Sequence, residues 1–255
     1  MTTTLFEGGA IVPGTGEPPE WVIVQDDLIA ALGTGGSPSA DRVVDLQGGV
    51  LAPAFRDGHV HLQVTGLFES AMDFRGRHDG SEILAEFSSR AENGAGILFG
   101  GNFEEPLEPP LTRLDLDSAV GERRALLARA DLHSCVVSTA LLDELDLSAV
   151  PGVDRDETGT PSGYLREQAA ARAWRVFDRG LGLHAQREAV RAGVSAAYRK
   201  GVAEAHEMFV VEWRGWDSAE TFLGIIREHA LNVPVYLATN DVARVAEMGF
   251  ARIGG

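Results

Sequence analysis

From Gly49 the chain runs Gly49-Val50-Leu51-Ala52-Pro53-Ala54-Phe55 almost without a polar side chain, then changes to Asp57-Gly58-His59-Val60-His61. A near-continuous apolar run is the pattern of a strand buried in a parallel sheet. Side chains alternate along a strand, so the spacing puts His59 and His61 on one side, about 7 Å apart at the backbone. Upstream, residues 1–52 read as short strands separated by turns. Pro13-Gly14-Thr15-Gly16-Glu17-Pro18-Pro19 and Gly33-Thr34-Gly35-Gly36-Ser37-Pro38 are loop signals. Val22-Ile23-Val24 followed by Gln25-Asp26-Asp27 suits a hairpin. Gly48-Gly49 is the natural hinge, because strand–helix alternation, the mark of a parallel sheet or barrel, begins beyond it.

In the second part the pattern predicts barrel-type strands over 50–61, 95–102, 124–131, 202–211 and 233–239. A helix is expected over 185–200, where Val190, Val194, Ala197 and Tyr198 recur at helical spacing and Gly201 follows. Another is expected behind Asp217-Ser218-Ala219-Glu220, a capping-box variant that precedes Phe222, Leu223, Ile225 and Ile226 and ends near Leu231-Asn232. Between 63 and 180 only two strands are convincing, so that stretch reads as a large insertion. Within 202–211, Glu204, His206 and Glu207 interrupt an apolar strand. Ionisable groups there are costly unless paired or bound to a cation. His206 and Glu207 point to opposite faces, so at most one can face a barrel interior.

Composition narrows the function classes. The 255 residues are 44% hydrophobic and 24% charged, ordinary for a globular protein. With 22 basic against 38 acidic residues the net charge is −16, which disfavours nucleic acid and anionic membrane as partners. No apolar run approaches a membrane span. Met1-Thr2-Thr3-Thr4-Leu5 lacks the basic start and apolar run of a secretory signal. Cys135 stands alone, excluding an intrachain disulfide and fitting a reducing cytoplasm. On spacing alone His59 and His61 are either a pair converging on a divalent cation or two histidines satisfied by hydrogen bonds. Both readings stay open at this point.

Pro53-Ala54-Phe55-Arg56-Asp57-Gly58-His59-Val60-His61-Leu62 resembles the start of the first barrel strand of the amidohydrolase superfamily. The upstream segments Ala10-Ile11-Val12, Trp21–Val24, Leu28–Gly33 and Val43–Gly49 are similar to that superfamily's small N-terminal β-domain. Downstream, Gly96–Phe103, Leu127–Ser134 and Gly163–Glu167 resemble the branch containing N-substituted formamide deformylase. The resemblance implies an α/β fold, an incomplete TIM-like (β/α) barrel (residues 53–255) with a small N-terminal β-domain (residues 1–52). An eight-stranded barrel needs about 250 residues of its own, so the expectation is an N-terminal half. It implies a metal-dependent hydrolase of amides, formamides or cyclic amides, with zinc the expected cation and His59 and His61 as ligands. Glu207 is the candidate for a further ligand and Asp57 for a brace behind the site. Asp131-Leu132-His133-Ser134 resembles an Asp-Gly-His-Ser element, which places His133, and with it Glu167, in the substrate pocket. An exposed His133 beside a helix capped by Ser134 is the plain alternative, as is a surface ion pair for Arg166-Glu167. His78, His184 and His229 receive no role. The resemblance also places further histidines and a general-base aspartate beyond Gly255. The partners expected are therefore a small-molecule substrate and either a second copy or a complementing C-terminal half. The alternative function is a non-catalytic binding or assembly partner.

Overall fold

The structure is a computed structural model, and it describes residues 2–14, 16–91 and 96–249. The chain divides into two compact units, Met1–Phe55 and Arg56–Gly255. Among the described residues no helix is long and apolar enough to cross a membrane.

The first unit holds β1 (Thr3–Glu7), β2 (Ala10–Ile11), β3 (Trp21–Gln25), β4 (Leu28–Gly33), β5 (Arg42–Asp45) and β6 (Val50–Leu51). Four of them form a sheet in the order β4-β3-β1-β5, antiparallel except for the parallel β1–β5 pair, while β2 and β6 pair in parallel. The expected hairpin is β3–β4. Gln25 pairs with Leu28, and Asp26 takes a left-handed φ of 52° at the tip, which a short polar side chain tolerates. Leu5, Ile11, Val22 and Ile23 are buried apolar side chains of this unit.

β7 (Phe55–Val60), all but its first residue in the second unit, and α1 (Leu62–Phe68) are followed by β8 (Met72–Asp73), α2 (Gly80–Ala91), β9 (Leu98–Phe103) and α3 (Arg113–Val120). Next come β10 (Ala125–Arg129), β11 (Ser134–Val137), α4 (Thr139–Leu142), β12 (Val153–Arg155), β13 (Pro161–Arg166) and α5 (Glu167–Arg199). The last elements are β14 (Val202–Val210), α6 (Val211–Arg214), α7 (Trp216–Ile226), β15 (Val235–Ala238) and α8 (Val242–Glu247). Six strands form a mixed sheet, β12-β13-β11-β10-β9-β8, and three form a second, β15-β14-β7. The fold is α/β, as the alternation predicts, but the five expected barrel strands are spread over three sheets and no closed barrel forms among the described residues.

Several expectations are corrected here. The 50–61 run is two strands, because Pro53 has no amide hydrogen for a ladder. β6 pairs with β2 and β7 lies beside β14, and Val50 and Phe55 are exposed rather than buried. The 63–180 stretch contains β8 and β11 to β13 besides the two strands expected; these are short or antiparallel and carry no long apolar signal. The helix expected at 185–200 is the end of the longer α5, which bends at Gly182, where φ is 66°. The helix expected behind Asp217 is capped two residues earlier by Gly215 (φ 90°), with no side-chain cap, and runs from Trp216 to Ile226. Ser134 caps no helix; it opens β11.

β10 shows why its sequence is apolar throughout. Ala125 and Leu127 pack into one cluster with Phe74, Phe87, Phe103 and Leu116. Leu126 and Ala128 pack into another with Cys135, Leu165, Trp174 and Phe177. Both faces of this strand are covered, so alternation disappears. A third cluster joins Leu62, Val190, Val194, Phe209, Phe222 and Ile225, fastening α1, α5 and α7 to β14.

Candidate functional site

β7 ends at Val60, and His61 is the N-cap of α1, with φ −120° and ψ 83°. His61 therefore leaves the strand, yet its ring stays beside that of His59, the centroids 5.4 Å apart and the planes nearly perpendicular. Both line a cavity of about 240 Å³ together with Val64, Leu132, His133, Trp174, Asp178, Met208, Val210, Trp213 and Arg214. The Asp57 carboxylate accepts the His59 backbone N–H at 3.1 Å, two residues along β7, and so fixes the backbone that carries the first imidazole.

His133 reaches the same cavity from the β10–β11 turn. Its Nδ1 lies 3.0 Å from Glu167 Oε2, and its ring meets Trp213 edge-on at 5.0 Å. The Glu167 N–H donates to the His133 carbonyl at 2.7 Å, tying the start of α5 to that turn. Glu167 is held at φ 47° and Leu132 at φ 63°, left-handed conformations that non-glycine residues rarely adopt. Glu167 itself does not line the cavity.

The ionisable residues of β14 separate by face. Met208 and Val210 line the cavity, and by strand alternation Glu204 and His206 share their side. His206 stacks on Tyr236 and lies 3.0 Å from Glu204 Oε1. That contact with His206, foremost, holds the Glu204 carboxyl below its ordinary pKa. Glu207 is on the opposite side, fully buried and not among the cavity-lining residues. Its Oε2 accepts the Leu62 N–H at 2.7 Å, and its Oε1 lies 3.7 Å from His61 Nδ1. Among the described residues, no three His, Cys, Asp or Glu side chains converge in a set able to hold a metal. His78, His184 and His229 do not line the cavity.

Some of the polar and most of the aromatic lining was not singled out from the sequence. Asp178 is buried, accepting from Gln63 Nε2 at 3.2 Å and from Arg214 Nε at 2.5 Å. The Arg214 guanidinium also lies 4.3 Å from the centroid of the Phe209 ring. Trp174 and Asp178 are one helical turn apart, so a carboxylate on the apolar face of α5 was the available signal. Trp213 and Arg214 follow β14 and carry no comparable pattern.

A profile of the Amidohydrolase family matches residues 42–252, most of the chain. The chain belongs to the amidohydrolase family. The Bacillus subtilis (strain 168) protein named "Putative amidohydrolase YtcJ" is 27% identical over 209 residues, covering 75% of this chain and 39% of that one. Two crystal structures, each of an uncharacterized metal-dependent hydrolase, share the fold. The Pyrococcus furiosus protein has a TM-score of 0.66 at 22% identity, over 99% of this amidohydrolase-family chain and 54% of its own. The Pyrococcus horikoshii OT3 protein has a TM-score of 0.67 at 20% identity, over 100% of this chain and 52% of its own. The chain therefore spans about half the length of these relatives, or less.

Proposed function

We propose that residues 1–255 supply one part of a metal-dependent hydrolase site for non-peptide C–N bonds: amides, formamides or cyclic amides. The observation that carries this reading is the convergence of His59 and His61 on a cavity that His133 also lines. The donor set suits a borderline divalent cation such as zinc, because imidazoles approach and no thiolate is available. The chain's one cysteine, Cys135, is buried in the core, where burial raises its thiol pKa to about 12. The single thiol also supports the reading that the protein works in a reducing cytoplasm.

His59 and His61 would hold the cation, and Asp57 braces His59 through its backbone. Such a cation lowers the pKa of water to about 7 and polarises a carbonyl. Trp174, Trp213, Met208 and Leu132 wall the cavity with apolar surface and exclude water around an acyl group. His133, engaged at Nδ1 by Glu167, presents its other ring nitrogen to a substrate oxygen or nitrogen. Two imidazoles fall short of the three protein ligands of a catalytic zinc site. The complete site then draws its remaining ligands and general base from groups outside this chain, and an N-substituted formamide is the first substrate to try.

The test is zinc titration of the chain by calorimetry, with His59→Ala and His61→Ala in parallel, then assay of an amide and formamide panel. Weak binding lost in both variants, without turnover by residues 1–255, is the expected result. Binding unchanged by either substitution removes the metal assignment. Sub-micromolar binding with turnover shows that the chain needs no completing part. A partner captured at the same face with no zinc binding favours the non-catalytic reading.

A further inference from the structure

Glu207 spends its two oxygens unequally. Oε2 accepts the Leu62 N–H at 2.7 Å. Oε1 is buried, has no hydrogen-bond partner and lies 3.7 Å from His61 Nδ1. A carboxylate removed from water with one unsatisfied oxygen is costly. Capping Leu62 accounts for one oxygen only, and an amide would do that equally well without burying a charge.

The charge has a second consequence at His61. A neutral imidazole carries its proton on one of two nitrogens, and a neighbouring carboxylate selects which. At 3.7 Å, with Glu207 fully buried and the His61 side chain 35% exposed, the attraction favours an N–H facing Glu207. The proton then sits on Nδ1, and the lone pair is left on Nε2, across the ring from Glu207. Metal-binding histidines are held in this way by a carboxylate behind them.

We infer that Glu207 is a positioning residue: its buried carboxylate holds the His61 proton on Nδ1 and leaves Nε2 as the donor toward the cavity. This deepens the proposed metal reading and departs from the expectation of Glu207 as a ligand. The fold makes the arrangement available because β14 points Glu207 away from the cavity, beneath the start of α1, while His61 reaches over the strand end.

The test uses metal-free chain with 15N-labelled histidine, well above the ordinary imidazole pKa of about 6.5. Long-range 1H–15N correlation reports which ring nitrogen carries the proton, and His61 is assigned by the signal missing from His61→Gln. The expected result is Nδ1–H for His61 in the wild type. In Glu207→Gln the amide oxygen still accepts from Leu62 and the amide nitrogen faces His61, so the proton moves to Nε2. Zinc affinity should fall ten- to hundredfold in that variant, at unchanged helical content. A wild-type His61 carrying its proton on Nε2 overturns the inference even if Glu207→Gln fails to fold. So does a Glu207→Gln protein with the wild-type tautomer, which would leave Glu207 a cap and nothing more. Wild-type chain that takes up no zinc removes the metal reading, and the tautomer still decides this one.

Discussion

Gly66 of α1 and Gly193 of α5 meet where the two helices leave no room for a side chain. A methyl group on Gly66 would overlap the Ala189 carbonyl oxygen and come within 2.6 Å of the Gly193 amide nitrogen; one on Gly193 would overlap the Leu62 carbonyl. The neighbours are backbone, which cannot rotate away. α1 carries His61 at its start, so this approach sets where the second imidazole sits. Gly66→Ala and Gly193→Ala should each cost at least about 1–3 kcal/mol in urea unfolding and weaken zinc binding without touching a ligand. Wild-type stability in either variant would show that α1 and α5 are packed less closely.

Asp178 and Arg214 form the buried charged pair of the cavity wall, with side chains 5% and 13% exposed. Removing one partner strands the other. Arg214→Met and Asp178→Leu alone should each cost about 3–5 kcal/mol, whereas the double variant should recover much of that loss. A double-mutant cycle by chemical denaturation measures the difference, and additive losses would rule out the coupling.

Alkaline stability follows from two raised acids. Burial pushes the Cys135 thiol from 9.0 up to about 12. Burial, then the hydrogen bond from its hydroxyl to Glu105, raises the Tyr164 phenol from 10.0 to about 12. In both cases the folded state favours the neutral form. Their contribution is complete below the unfolded values of 9.0 and 10.0 and is lost as pH rises toward 12. The urea midpoint should therefore fall above pH 9, and Cys135→Ala should delay that fall. An identical pH profile for the variant would contradict the burial of the thiol.

Glu167 stands at φ 47° at the start of α5. Glycine adopts that conformation without strain, so Glu167→Gly should stay within about 1 kcal/mol of wild type. Glu167→Val should cost more, because a β-branched residue is an outlier there. Both variants release His133 from its carboxylate, so their affinities for a formamide analogue should match while their stabilities differ.

Much of the local structure was legible. The β3–β4 hairpin and its short turn at Asp26-Asp27 follow from contacts a few residues apart, and β10 shows its burial on both faces as an unbroken apolar run. The His59–His61 pairing was legible for the same reason, although His61 belongs to the cap of α1 and not to the strand. The antiparallel β11–β13 pairing was not, because its strands are short and their partners are chosen by sheet neighbours.

Local periodicity in the sequence was enough for the β3–β4 hairpin, for β9, β10, β14 and β15, for the C-terminal part of α5 and for α7, and it put Glu207 and His206 on opposite faces of one strand, since backbone periodicity is a local property. Only the tertiary structure decided what covers each face. It buried Glu207 against Leu62, 145 residues away, paired His206 with Tyr236, and brought Trp174, Asp178 and Trp213 to the two imidazoles. Those outcomes depend on α1, β15, α5 and α6 meeting around β14, and a repeat of two or 3.6 residues carries no information about a partner so distant in the chain.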